Sequence, residues 1–144
     1  MRGKVNRRVL GLRDQEGAVA VEFAIVMILL ITILLGVIQF GIATSKLEVF
    51  ESAAREGARF AAVSCAPTSP CTTTLISDRV KNAAIGYTVG PGTPTADRDC
   101  SLSSSFGQPV KVSWTQAITI NIPFVPGLNP RTISRTISGV FRCE

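Results

Sequence analysis

Ala18-Val-Ala-Val-Glu22-Phe23-Ala-Ile-Val-Met-Ile28-Leu-Leu-Ile-Thr32-Ile-Leu-Leu-Gly36-Val-Ile-Gln39-Phe-Gly-Ile-Ala43 is the stretch on which the fold turns. Over these 26 residues the only clearly polar side chains are Glu22, Thr32 and Gln39. A helix of about 20 predominantly apolar residues crosses the hydrocarbon core of a bilayer, so this one is long enough to span it. In a chain of 144 residues, that leaves room for one small domain and no second core.

Charge is distributed around this stretch in a way that sets its orientation. The sequence pI is about 9.4, a value that ordinarily raises nucleic-acid binding. Five of the fifteen bases, Arg2, Lys4, Arg7, Arg8 and Arg13, precede the apolar run, opposed only by Asp14 and Glu16. Short Lys/Arg-rich flanks stay on the cytoplasmic side, which puts the N-terminus inside and everything after Ala43 outside. Beyond Gly17 ten bases face eight acids, a formal balance of +2, so topology accounts for the basic character and no nucleic-acid partner is expected.

The helical pattern continues past the span. Leu47, Phe50, Ala54, Ala58 and Ala61 recur at steps of three or four, with Lys46, Glu48, Glu51, Arg55, Glu56 and Arg59 mostly elsewhere. One helix over residues 18–63 would be roughly 70 Å long, more than twice the bilayer core, and its second half must project. Glu51 and Arg55 have the i,i+4 spacing that supports an exposed helix. Ala53, Gly57 and Ala61 form a small-xxx-small row, beside a second row of Ala54, Ala58 and Ala62. Such rows admit another backbone closely, either the protein's own sheet or a neighbouring subunit.

After Cys65 the texture changes to Pro67, Ser69, Pro70 and the Thr72–Thr74 run, which ends the helix. A second helix is predicted over about residues 74–85, capped by a threonine, with Leu75, Ile76, Arg79, Val80, Ala83 and Ala84 on one side. Residues 86–99, with Gly90, Pro91, Gly92 and Pro94, read as an irregular connection. Strand alternation follows at Val110, Val112 and Trp114, again at Ile118, Ile120, Ile122 and Phe124, and around residues 131–141, where Ile133, Ile137 and Phe141 share a face. Pro123 and Pro126 limit the second strand, and Pro126-Gly127 opens a turn. The expected class is α+β: a long N-terminal transmembrane helix continuing into a small head with a three-stranded antiparallel sheet and one further helix.

All four cysteines, Cys65, Cys71, Cys100 and Cys143, follow the span, which suggests two disulfides in an oxidising compartment. Three connectivities are open; the favoured one joins Cys65 to Cys71 and Cys100 to Cys143. With no histidine and no Cys-x-x-Cys spacing, a zinc site is not expected, and a triad of the Ser-His-Asp or Cys-His kind cannot be built. No cofactor is expected. Asp97 and Asp99 form a carboxylate pair, but Asp-Arg-Asp in a Gly/Pro-rich loop reads as solvated, so the chain is not expected to be an enzyme.

The junction Gly17-Ala-Val-Ala-Val-Glu22-Phe23 carries the functional reading. A mid-membrane acid costs roughly 2.5 to 3.5 kcal/mol, less near the interface, so Glu22 needs a partner. A new amino terminus at Ala18 would supply one, in a staggered assembly from a neighbouring subunit. The plainer alternative is an interfacial Glu22 that meets a lipid head group or its own helix N-terminus.

Arg13-Asp-Gln-Glu-Gly17 followed by Ala-Val-Ala-Val-Glu-Phe-Ala, then Gly36-Val-Ile-Gln-Phe-Gly41 and Ala53-Ala-Arg-Glu-Gly-Ala-Arg-Phe-Ala-Ala62, resembles the TadE-like family, minor pilins or pseudopilins of tight-adherence (Flp-type) type IV pilus systems. The resemblance covers about the first 62 residues. It implies prepilin-peptidase cleavage between Gly17 and Ala18, with Glu22 and Phe23 at the mature fifth and sixth positions and read by the peptidase. Ile28 stands where many relatives carry proline, and Gln39 where many carry an acid.

The expected organisation is therefore a cleaved basic cytoplasmic leader (1–17), the transmembrane part of the helix (18–43), its projecting part (44–64) and a disulfide-bearing extracytoplasmic head (65–144). The chain would be a single-pass inner-membrane protein whose partners are the prepilin peptidase, other pilin-like subunits and the assembly platform. A conventional signal peptide cut near Gly41-Ile42-Ala43 is disfavoured, because the apolar run is about twice the usual 7 to 15 residues. Arg7-Arg8 gives a weak twin-arginine signal. The rival functional reading is an uncleaved, membrane-anchored extracytoplasmic binding or adhesion module, with exposed loops around Tyr87 and Phe106.

Overall fold

The computed structural model describes residues 8–65, 71–122, 127 and 130–144, with side chains from Gly17 onward. The leader bases Arg2, Lys4 and Arg7, the loop residues Pro67, Ser69 and Pro70, and Pro123, Phe124 and Pro126 lie outside the described residues, as do the side chains of Arg8, Arg13, Asp14 and Glu16.

One helix, α1, runs Arg8–Val63 over 56 residues, about 84 Å at 1.5 Å per residue. It contains no proline, so nothing removes a ladder donor along its length. The hydroxyls in the apolar run and just beyond it are satisfied by their own helix: Thr32 Oγ1 donates to the Ile28 carbonyl at 2.8 Å, and Thr44 Oγ1 to that of Phe40 at 3.1 Å. With isoleucine at position 28 the backbone continues in helix through that point.

The head folds against the last third of α1. Helix α2 (Thr73–Ala83) begins at N-cap Thr72, whose side chain accepts from the Leu75 amide. It presents Ile76, Ser77 and Val80 to the core, while Leu75 is about half exposed and stays outside it. Strands β1 (Thr95–Ala96), β2 (Pro109–Ile120) and β3 (Arg131–Arg142) form a three-stranded antiparallel sheet in the order β1-β2-β3. A short 3-10 turn, Ser103–Ser105, lies between β1 and β2.

The sheet has the predicted strand number but a different membership. Alternation at Val110–Trp114 and at Ile118–Ile120 belongs to one twelve-residue strand, and the third strand comes from the connection read as irregular. The break at Gln116 is chemical, not conformational. Val110, Val112, Trp114, Gln116 and Ile118 all point at α1, and Gln116 is 4% exposed. Its Oε1 accepts from Gly90 N–H and Trp114 Nε1–H, both at 3.1 Å, while its Nε2 donates to the carbonyls of Thr88 and Ala117. A buried amide with these partners incurs no desolvation debt and leaves the strand unbroken.

The same bonds draw the connection onto the edge of β2. Gly92 N–H donates to Thr115 O at 3.1 Å and Asp97 N–H to Lys111 O at 3.0 Å, on either side of the short β1 pairing. Pro91 and Pro94 have no amide to give, which keeps the edge from becoming a regular ladder.

The core lies where α1, α2 and the sheet meet. Phe50, 2% exposed, sits 6.0 Å from the Tyr87 ring and 6.4 Å, edge-on, from that of Trp114. Above it Ala53, Ala54, Gly57, Ala58, Ala61 and Ala62 are all buried. Gly139 of β3 lies on the main chain of Ala54 and Arg55, where a Cβ would overlap backbone, and Gly57 lies beneath Val80. Both small-residue rows are thus consumed by the protein's own head, which approaches closely because those side chains are absent or single methyls. The Glu51–Arg55 pair expected from spacing gives way to Glu56, which meets Arg79 of α2 at 2.5 Å and Arg59 at 3.8 Å.

Disulfides join Cys65 to Cys71 and Cys100 to Cys143, closing separations of 6 and 43 residues. The first secures the exit of α1 to the start of α2. The second fastens the 3-10 turn to the end of β3, beside the bonds between Gly107 N–H and Cys143 O and between Cys143 N–H and Gln108 O.

Candidate functional site

Below Phe40, α1 packs against no other element among the described residues. The helix is long and apolar enough to cross a membrane, and none of its most apolar stretch is buried among the described residues. Val19, Phe23, Val37 and Phe40 are each more than 60% exposed. Apolar area of this extent is stable only against lipid or other apolar helices, so a single-pass membrane anchor is the arrangement it fits.

At the start of this anchor the structure places the residues picked out from the sequence on consecutive turns. Gly17 is exposed, with open space where a side chain would stand. Ala18 follows it, and Glu22 and Phe23 lie one turn on, also exposed. Among the described residues Glu22 makes no ion pair. One turn of helix, about 5.4 Å, separates Ala18 from Glu22, so a carboxylate on one chain and a main-chain nitrogen on a chain shifted along the axis can be brought level. The other candidate residues do not join this group. The small rows at Ala53–Ala62 and the four cysteines are about fifty Ångströms or more along the helix, within the head.

Within the head, the carboxylates with the most chemical promise hold backbone. Asp97 Oδ1 accepts from Lys111 N–H at 2.8 Å and Asp99 Oδ1 from Ser101 N–H at 2.9 Å. The Ser101 amide, followed by its hydroxyl, holds the Asp99 carboxyl below the usual carboxylate range. Both aspartates border a small open cleft with Arg98 between the two disulfides, and their bonding there is that of turn-forming residues. All four cysteines are oxidised, so no thiolate is available as a nucleophile or ligand.

Three residues that organise the head were not singled out from the sequence. Gln116 resembles an interruption, Gly139 is one glycine among 12, and Phe50 is one step in a helical pattern. Only the alternation through Gln116, with Trp114 and Ile118 on the same parity, could have signalled the first.

In comparison with protein families, residues 17–59 fit the family described as TadE-like protein. The matched segment is the anchor together with the first turns of the head-bearing helix. No curated protein matches the chain, and no solved structure does.

Proposed function

From a chain whose residues 17–59 are TadE-like, we propose a pilin-like subunit or assembly component of a tight-adherence (Flp-type) type IV pilus, processed by prepilin peptidase after Gly17. The observation that carries this reading is the unburied apolar helix continuous with the helix on which the head is built. A subunit of this shape can exchange lipid for neighbouring helices around its span without altering its head.

In this reading residues 1–17 are the cytoplasmic leader, 18–43 cross the inner membrane, and 44–144 stand outside the cytoplasm. Glycine costs a helix about 0.5–1 kcal/mol relative to alanine, so the backbone at Gly17 is the easy place to unwind into a protease. Hydrolysis leaves a carboxylate on Gly17 and an amine on Ala18, with Glu22 and Phe23 as the features the peptidase reads. That α-amine, with an ordinary pKa of about 7.7–8.0, is mostly charged at neutral pH. Glu22 of one subunit then neutralises Ala18 of the next and sets their stagger. The chain catalyses nothing itself; its role is structural.

Intact-mass and N-terminal analysis of membrane-extracted protein, with and without active prepilin peptidase, tests the pathway. A peptidase-dependent start at Ala18 with the helix retained is expected, and an uncut chain or a start at Thr44 refutes it. Glu22→Ala should insert in the membrane yet fail to enter pili; normal incorporation of that variant would sink the charge pair.

A further inference from the structure

The lower end of the sheet makes an open apolar groove with α1. Phe40, Ala43, Thr44 and Leu47 share one face of the helix at i, i+3, i+4 and i+7. Ile118 and Ile120 from the end of β2 and Ile133 from the start of β3 line the other wall, with Arg135 at its margin. Ile133 is 41% exposed and Phe40 70%. From the geometry we infer that this groove is a second membrane contact, seating the end of the β2–β3 pair in the lipid leaflet on the head's side.

Counting along the helix gives the level. A hydrocarbon core of about 30 Å takes about 20 residues, so a core beginning between Ala18 and Glu22 ends between about Ile38 and Ile42. The headgroup layer beyond it, about 5 to 7 Å deep, takes the next four or five residues and reaches to about Leu47. Gly139 of β3 lies on Ala54. Six strand residues at about 3.3 Å each carry Ile133 some 20 Å down the helix, to the level of about residue 41. Two separate counts therefore bring the groove into the headgroup layer.

Charge selects the occupant. Between Cys100 and Cys143 the chain contains Lys111, Arg131, Arg135 and Arg142 and no acid at all. Arg131, Ile133 and Arg135 alternate onto one face at the membrane end, apolar between two guanidiniums. This is the composition of an interfacial element: isoleucines against the upper acyl chains, Arg135 level with the lipid phosphates and Arg131, about 7 Å deeper than Ile133, reaching back up to them along its stem, contacts that are most favourable when the headgroups are anionic. The groove is also continuous with the anchor's own lipid-facing surface.

Because the groove meets lipid only if α1 spans a bilayer, resting as it does on the anchored reading, the test examines both. Full-length protein carrying Ile120→Trp, Ile133→Trp, Ile33→Trp or Phe106→Trp is placed in vesicles of phosphatidylglycerol and brominated phosphatidylcholine, bromine being set high or deep on the acyl chain. Native Trp114, 4% exposed and six strand residues from Ile120, stays as the constant background. For a residue seated about 5–10 Å into the headgroup and acyl boundary, emission from Ile120→Trp and Ile133→Trp should fall about twofold with shallow bromine and shift to the blue. Phe106→Trp, at the far end of the head, should be unaffected, and Ile33→Trp should respond to deep bromine. If Ile33→Trp responds while both groove variants match Phe106→Trp, the second contact is refuted and the anchor stands. If Ile33→Trp also fails to respond, both are refuted. Groove quenching that disappears as more protein is packed into each vesicle would put a second copy there and likewise overturn the lipid assignment.

Discussion

Gly139→Ala tests the closest joint in the head. The new methyl would fall on the main chain of Ala54 and Arg55, inside ordinary contact distance of backbone that no rotamer change can move. Overpacking a tight core costs about 1–3 kcal/mol, and contact with main chain belongs at the upper end of that range. Against it stands the gain of about 0.4–1 kcal/mol that alanine brings by restricting the unfolded chain. The net loss is then about 2 kcal/mol. For a domain of 60–100 residues this lowers the melting temperature by about 8–16 °C. Near-UV circular dichroism of full-length protein in detergent follows it, since Trp114 and Tyr87 both flank Phe50 at this core. Adding Ala54→Gly should not rescue the variant, because the overlap is with backbone atoms. A melting temperature within about 2 °C of wild type, or rescue by Ala54→Gly, would refute the backbone-contact argument.

Gly57→Ala offers the contrast: its methyl meets the Val80 side chain, so Val80→Ala should recover part of the loss, read as a positive coupling in a double-mutant cycle of unfolding free energies. Replacing Cys100 and Cys143 together by serine should cost about 4 kcal/mol on the chain-entropy model, against about 2 kcal/mol for the Cys65–Cys71 pair; urea unfolding of the two variants should preserve that order. Asp99 gives a pH dependence. Its folded pKa lies below the usual carboxylate value of 3.8, so its contribution is complete above that value and is lost as pH falls through the depressed folded one. Asp99→Asn should lower stability modestly at neutral pH and converge with wild type below about pH 4, flattening the Asp99 part of the acid limb, as judged by denaturant midpoints across that range.

What could be read from the sequence was whatever depends on period and composition. The apolar run, its helical continuation through Ala61, and the turn-rich breaks at Cys65 and Gly90 are local facts, and the structure realises them as α1, the start of α2 and the edge of the sheet. The strands were misassigned where a non-local bond overrules the local pattern. Gln116 breaks the alternation, and only its bonds to Thr88, Gly90 and Trp114 make it a core residue. The same bonds recruit residues 90–97 to the sheet, where prolines argue against a strand. Gly139 was silent for a related reason: the demand for no side chain comes from Ala54, 85 positions away in the chain. The candidate site was visible because its residues are neighbours in sequence, from Gly17 to Phe23.

The continuity of α1 through Val63 makes the molecule a rod in which bilayer and head share a single axis. No hinge separates them, so the azimuth of the head about the membrane normal is fixed by residue count. Each residue between Ala43 and Phe50 contributes about 100° of turn and 1.5 Å of rise. Tension or torque applied to the head passes to the span through one continuous helix, and whatever holds the span dictates which side of the sheet faces outward. In such a body the bearing of the head relative to its own span is a property of chain length, set at synthesis.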